Sequence, residues 1–239
     1  MSNAWTARRL EPSRAADLVQ QSGRDRRATR RRARGFTLME TALATVIIAV
    51  GVLALIEAQA AFTSNNEWST ASATATYMAN ELRERMRTFP RHDPVNGLYL
   101  DGNNALQGWG AEDGELDIVD FDDLDDLDGK SFGTGGMFDG PVDSTGHVIM
   151  ERGPDGLPLL GEDGAPIPLR GWRQRVVVEK VDPQNFNTVR AASYVRPAVG
   201  QTPGLNVDQF PLRVSVIIEY TPPGEYEARE MAKVVWIAP

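Results

Sequence analysis

The densest group of side chains that could do chemistry is an acidic segment near the middle of the chain. Ten Asp and Glu residues and no basic residue lie between Glu112 and Asp128. Because calcium prefers carboxylate oxygens as ligands, one hypothesis is a calcium site built from six aspartates: Asp120, Asp122, Asp123, Asp125, Asp126 and Asp128. An EF-hand is excluded, because a glycine at its sixth loop position would place Leu124 at the first. A solvated acidic loop is the simpler alternative, and a docking face for a basic partner is compatible with either.

The rest of the sequence has no pattern typical of an enzyme. The two histidines, His92 and His147, are 55 positions apart, and the absence of cysteine excludes a thiol nucleophile and a cysteine metal site. Ser144 lies outside a G-x-S-x-G nucleophile turn, and the segment 133–136 lacks the third glycine of a dinucleotide-binding motif. We therefore expect no catalytic activity, and no cofactor apart from the calcium considered above.

A second chemically distinctive residue is Glu40, which lies near the start of a 21-residue apolar run from Phe36 to Ile56. As a helix this run would span roughly 31 Å, close to the hydrocarbon thickness of a bilayer. A charged side chain inside a membrane costs about 2.5–3.5 kcal/mol on insertion scales. Glu40 therefore needs either a positive partner or access to water at the membrane interface.

The residues before this run are strongly basic. Residues 1–35 hold ten arginines and three acidic residues, whereas the remaining chain holds 15 basic and 30 acidic residues within a net charge of −8. Positive charge just before a membrane-length apolar run is typical of a cytoplasmic flank, and a nucleic-acid patch is the alternative. A secretory signal cut after Ala60 would also direct export, but its n-region would be unusually long and Glu40 would stay unexplained. A twin-arginine signal at Arg31-Arg32 is the other export alternative, but Phe36, four positions after Arg32, fits that motif poorly.

The segment Gly35-Phe36-Thr37-Leu38-Met39-Glu40 resembles the class III signal of type IV pilins and type II secretion pseudopilins. In that family a prepilin peptidase cuts after the glycine and methylates the new N-terminus. The resemblance therefore implies cleavage between Gly35 and Phe36 and N-methylation of Phe36. It also implies that the new Phe36 amine gives Glu40 a positive partner, in its own chain or in a neighbouring subunit, and that this pair sets the register of assembly.

The resemblance is greatest to the PilV-type minor pilins, through the segment Tyr77–Met86. Glu57 stands where major pilins usually carry a proline, and the chain lacks the cysteines of their C-terminal disulfide. The family implies an inner-membrane protein with a periplasmic domain, which meets other pilins and an assembly platform and binds no nucleic acid. A secretion pseudopilin is the alternative within the family. A membrane-anchored binding module that never assembles is the alternative from another class.

Hydrophobic periodicity indicates the elements that must position these residues. An apolar stripe at steps of three and four predicts that the helix continues from the apolar run to Phe89 and buries one face: Trp68, Ala71, Ala75, Met78, Ala79, Leu82, Met86 and Phe89. Glu81 and Arg85 have the spacing of an i,i+4 ion pair on that helix. Three antiparallel strands are predicted: one at 172–181 around its three consecutive valines, one at 212–220 from alternation, and one at 231–237, with a long loop over 182–210. On propensity alone, residues 225–232 could instead form a helix.

Together these elements predict an α+β, pilin-like fold, with a long N-terminal helix packed on a small antiparallel sheet. The acidic and Gly/Pro-rich residues 90–171 are predicted to be mainly loop, with short strands, the likeliest at 147–150. The predicted organisation is a leader, an assembly helix and a globular domain, over 1–35, 36–62 and 63–239. Within the domain, the amphipathic helix covers 63–89 and the sheet region covers 172–239.

Overall fold

The computed structural model describes residues 36–239, which form one long helix and an antiparallel β-sheet. The predicted α+β class is confirmed. Helix α1 covers Leu38–Met86. The chain divides into two compact units at Ala58 and Gln59, so α1 contributes residues to both.

In the first unit, the apolar side chains of α1 are all exposed. This part of α1 is long and apolar enough to cross a membrane. Its threonine hydroxyls are satisfied within the helix: Thr41 Oγ1 donates to the Leu38 carbonyl at 2.9 Å, and Thr45 Oγ1 to the Thr41 carbonyl at 2.8 Å. Such internal bonds leave the segment compatible with lipid, where polar groups find no water.

In the second unit, α1 buries a stripe of five apolar side chains: Ala75, Met78, Ala79, Leu82 and Met86. They belong to the predicted stripe, and Ala71 and Phe89 pack against its edge. The prediction for Trp68 is wrong, because its side chain is 62% exposed. The helix also ends at Met86 rather than at Phe89, ahead of Pro90, which disfavours helical backbone in the residue before it.

The sheet contains five strands rather than the three predicted. The strands are β3 (Ser131–Gly133), β4 (Trp172–Asp182), β5 (Asn185–Val189), β6 (Leu212–Tyr220) and β7 (Arg229–Ala238). They run in the order β3-β4-β6-β7, with β5 paired to β4, and every pairing is antiparallel. Strand β5 and a 3₁₀ turn, η2 (Val207–Gln209), lie within the predicted loop over 182–210.

Gln174 joins the sheet to the helix inside the core. It is fully buried on β4, and its Oε1 accepts a hydrogen bond from the Val142 amide at 2.7 Å. Its Nε2 donates to the carbonyl oxygens of Val142 and Met78, at 2.9 and 3.3 Å. A buried polar side chain with all these partners fixes α1 and the segment around Val142 against the sheet.

Residues 90–171 contain short paired segments between turns. Strands β1 (Tyr99–Leu100) and β2 (Leu106–Gln107) form a hairpin. The predicted short strand at 147–150 appears as isolated bridges from Val148 to Val142 and from Met150 to Pro168. A 3₁₀ turn, η1 (Asp125–Leu127), lies in the acidic segment.

Candidate functional site

The N-terminus of α1 is held by a reciprocal pair of hydrogen bonds between Thr37 and Glu40. The Glu40 amide donates to Thr37 Oγ1 at 3.2 Å, and the Thr37 amide donates to Glu40 Oε2 at 3.3 Å. This is the capping-box arrangement, in which two amides left free at a helix start are satisfied by each other's side chains. Thr37-Leu38-Met39-Glu40 carries the T-x-x-E signature of this motif, a signal not used in the prediction from sequence.

The capping box gives Glu40 a role within one chain. Its negative charge lies in the first turn of α1, where the positive end of the helix dipole is favourable for an acid. Phe36, just before the cap, is 78% exposed. Gly35, the other half of the predicted cleavage site, lies outside the described residues, as does the arginine-rich flank.

The acidic segment folds so that four carboxylates gather around that of Asp126. Oxygens of Glu112, Asp123 and Asp126 lie within 4.8 Å of one another, and so do oxygens of Glu115, Asp122 and Asp126. We call these five residues the acidic cluster. It includes three of the six aspartates in the calcium hypothesis, Asp122, Asp123 and Asp126, together with two glutamates that the hypothesis omitted.

The other three aspartates of that hypothesis lie outside the acidic cluster and bond to the backbone or to other side chains. Asp128 accepts hydrogen bonds from the Val178 amide at 2.9 Å and from Trp109 Nε1 at 3.4 Å, so it ties the segment to β4. Asp120 accepts from the Asp117 amide at 3.1 Å. Asp125 accepts from the Gly110 amide at 3.3 Å.

Local hydrogen bonds explain why two aspartates of the cluster are held in place. Asp123 Oδ1 accepts from the amides of Asp125 and Asp126, at 2.9 and 3.1 Å. Asp126 Oδ2 accepts in return from the amides of Asp122 and Asp123, at 3.0 and 3.1 Å. Aspartates commonly bond to nearby amides in this way, which stabilises tight turns such as η1.

The cluster also contains carboxylate oxygens that have no hydrogen-bond partner. Asp126 is fully buried, and its Oδ1 has none. Both carboxylate oxygens of Glu112 are likewise buried without a donor. Among the described residues, no Lys or Arg side chain forms an ion pair with any of the five members.

Burial and mutual repulsion make the ionised cluster unfavourable. Burial, followed by the hydrogen bond and charge of Asp125, raises the pKa of Asp123 to about 8. Burial and the charge of Asp123 raise the pKa of Asp126 to about 6. The pKa of Glu112 is also raised, by burial first and then by Glu115 and Asp126. Buried carboxylates need a compensating charge or a proton.

His92 lies beside the acidic cluster, which the sequence could not indicate because the two are far apart along the chain. Its Nδ1 is 3.2 Å from Asp125 Oδ1, although neither ring nitrogen makes a hydrogen bond of good geometry. Burial, then the positive charge of Arg91, lowers the pKa of His92 to about 4. At neutral pH the ring is therefore uncharged and does not balance the carboxylates.

Glu112 and Glu115 are the members that sequence reasoning missed. Both glutamates precede the aspartate-rich stretch in sequence. They approach Asp126 only because the chain turns back before it reaches that stretch. The Glu112 amide donates to Glu115 Oε2 at 3.0 Å, which closes that turn. The sequence signal for this turn was a glycine between two closely spaced glutamates. In the structure, that glycine, Gly114, has a positive φ of 110°.

Comparison of this chain with models of known protein families, with curated proteins and with solved structures finds no match.

Proposed function

We propose that this chain is a structural subunit of a type IV pilus or a related filament, of the minor-pilin kind. The observation that carries the proposal is the order of features around the start of α1. A glycine and a phenylalanine are followed by Glu40 and then by sixteen residues without charge, all of which are exposed. An exposed apolar helix face of this length needs either lipid or other helices around it.

The same order of features supports a location. The arginine-rich residues 1–35 would stay in the cytoplasm, α1 would cross the inner membrane, and residues 63–239 would lie in the periplasm. A prepilin peptidase would cut between Gly35 and Phe36 and methylate Phe36. The mature chain would then leave the membrane for the filament through an assembly platform, with other pilins as its partners.

Glu40 has two roles in this proposal. It caps α1 within its own chain, through the bonds with Thr37. After cleavage it could also pair with a new positive amine on Phe36, four residues earlier in its own chain, or with the amine of a neighbouring subunit. An ion pair at about 4 Å is worth roughly 4 kcal/mol at an effective dielectric near 20, which is comparable to the cost of about 2.5–3.5 kcal/mol for inserting the charge.

A pseudopilin of a type II secretion system is the alternative within the same machinery. The absence of a proline at position 57 and of cysteine throughout fits a pseudopilin as well as a minor pilin. Both alternatives share the cleavage site and the role of Glu40.

Replacing Glu40 tests the assembly role. Glu40→Gln keeps the shape and the capping oxygen but removes the charge, so we expect processing to continue while the amount in sheared filaments falls at least fivefold. Glu57→Gln, which removes an exposed charge farther along the same helix, is the matched control and should assemble normally. A wild-type chain that never enters filaments would instead favour an anchored, non-assembling module, and equal incorporation of Glu40→Gln would exclude the register role.

A further inference from the structure

We infer that the acidic cluster is a calcium site whose ligands are Glu112, Asp123 and Asp126, with Glu115 and Asp122 beside them. The site does not depend on filament assembly, and it differs in composition from the six-aspartate hypothesis. Three features of the cluster support a calcium site: convergence of oxygens, unpartnered buried oxygens, and the type of ligand.

Convergence is the first feature. Three carboxylates contribute oxygens that all lie within 4.8 Å of one another. Calcium–oxygen distances of about 2.3–2.6 Å place opposite ligands of one ion up to about 5 Å apart. One calcium ion can therefore contact all three carboxylates without a large movement of the chain.

The unpartnered oxygens are the second feature, and they point to a ligand. Asp126 is fully buried, its Oδ2 accepts from two amides, its Oδ1 has no donor, and its carboxylate converges with those of Glu112 and Asp123. A buried polar oxygen normally has a partner, because its lost hydration is otherwise not replaced. Both oxygens of Glu112 share this condition, and a cation between them would satisfy all three.

The ligand type decides between cations. Every member offers a hard carboxylate oxygen, and neither cysteine nor a histidine nitrogen belongs to the group, which disfavours zinc and copper. Magnesium requires a smaller octahedron with distances of about 2.0–2.1 Å and retains most of its water. Calcium accepts irregular geometry and both monodentate and bidentate carboxylates, so it suits this arrangement best.

A cation here would fix the segment from Glu112 to Asp126. The two glutamates lie on one side of a turn, and η1 with its preceding aspartates lies on the other. Binding would thereby tie together residues that are otherwise connected mainly through local turns. Because the ion would bind the folded chain and not the unfolded one, it must raise the stability of the fold.

Thermal unfolding of the full chain in detergent micelles tests the site, first in EDTA and then with 2 mM calcium chloride. We expect calcium to raise Tm by about 3–6 °C and titration calorimetry to give one ion per chain. Magnesium chloride at the same concentration should raise Tm by less than half as much. No response of the wild-type chain to calcium, or an equal response to magnesium, would overturn the inference.

Matched variants locate the response. Glu112→Gln and Asp126→Asn should each weaken calcium binding at least tenfold. Asp113→Asn, which removes an equal charge from an exposed position in the same loop, should bind as the wild type does. An undiminished response in Glu112→Gln would show that the ion binds elsewhere.

The melting temperatures of the same variants in EDTA show whether a substitution changes the stability of the ion-free protein. In EDTA, Glu112→Gln removes a buried carboxyl whose ionisation is opposed by burial and by its acidic neighbours, so we expect the variant to melt at or above the wild-type temperature. If it melts below the wild type in EDTA, the Glu112 carboxylate is already stabilised within the protein, and the argument from its unpartnered oxygens fails.

Discussion

At the scale of single residues, Lys180 is a buried charge whose cost can be measured. It lies on the inward face of β4 with 1% of its surface exposed, and its Nζ donates to the Ala192 carbonyl and lies 5.3 Å from the centre of the Phe210 ring. Burial lowers its pKa from 10.5 to about 8, and the charges of Asp208 and Asp125 limit the decrease. The folded protein thus disfavours the charged form.

This shift predicts a pH dependence of stability. Between about pH 8 and pH 10.5 the unfolded chain keeps the Lys180 proton that the folded chain has released, so the free energy of unfolding gains a contribution that rises with pH. Lys180→Met removes that contribution. The stability of the variant relative to the wild type, from urea unfolding in EDTA, should therefore decrease by on the order of 1–3 kcal/mol between pH 7 and pH 10. A difference that stays constant over this range would contradict the assignment.

Residue-scale predictions from sequence failed where a side chain reaches across the fold instead of bonding within its own helix. Glu81 and Arg85 have ion-pair spacing, yet Glu81 Oε2 accepts from the Ser144 amide at 3.0 Å, and Arg85 donates to the Ile118 carbonyl. Both partners come from distant loops. The same reason explains why the membership of Glu112 in the acidic cluster was missed.

At the scale of elements, α1 combines two environments in one helix. Its first half exposes apolar side chains, and its second half buries them against β4 and β6. The sequence pattern indicates this change of environment, because apolar residues lie on all sides of the first half of the helix but form a single stripe along the second half. Strands β4 and β6 were predictable for a similar reason, since their inward positions alternate with charged ones. Strands β3 and β5 are short and contain Gly or Asn, so their pairing with β4 carries no local signal.

The two environments of α1 predict a large loss of stability from a Leu→Ala substitution in one half of the helix and almost none in the other. Leu82 is fully buried in the core, so Leu82→Ala should lower the free energy of unfolding of the globular unit by about 2–5 kcal/mol. Leu55 lies on the exposed half of the same helix and is 63% exposed, so Leu55→Ala should change it by less than about 0.5 kcal/mol. Chemical denaturation of the full chain in detergent measures both. A loss in Leu55→Ala comparable to that in Leu82→Ala would show that the exposed half also packs within its own chain.

At the scale of the whole molecule, charge and hydrophobicity divide the chain into successive regions. A basic segment precedes an apolar helix, and an acidic domain follows it. The α+β class and the position of the helix follow from these patterns. The number of strands and the arrangement of the acidic cluster depend on contacts between distant residues, so neither could be derived from composition or periodicity.

The proposed function depends on one covalent event, the cut between Gly35 and Phe36. Intact mass and N-terminal sequencing of the chain isolated from its native membranes test it directly. We expect a single mature form that starts at N-methylated Phe36 and lacks residues 1–35. A chain that starts at Met1, or one that starts at Ala61 after removal of the whole apolar segment, would contradict it.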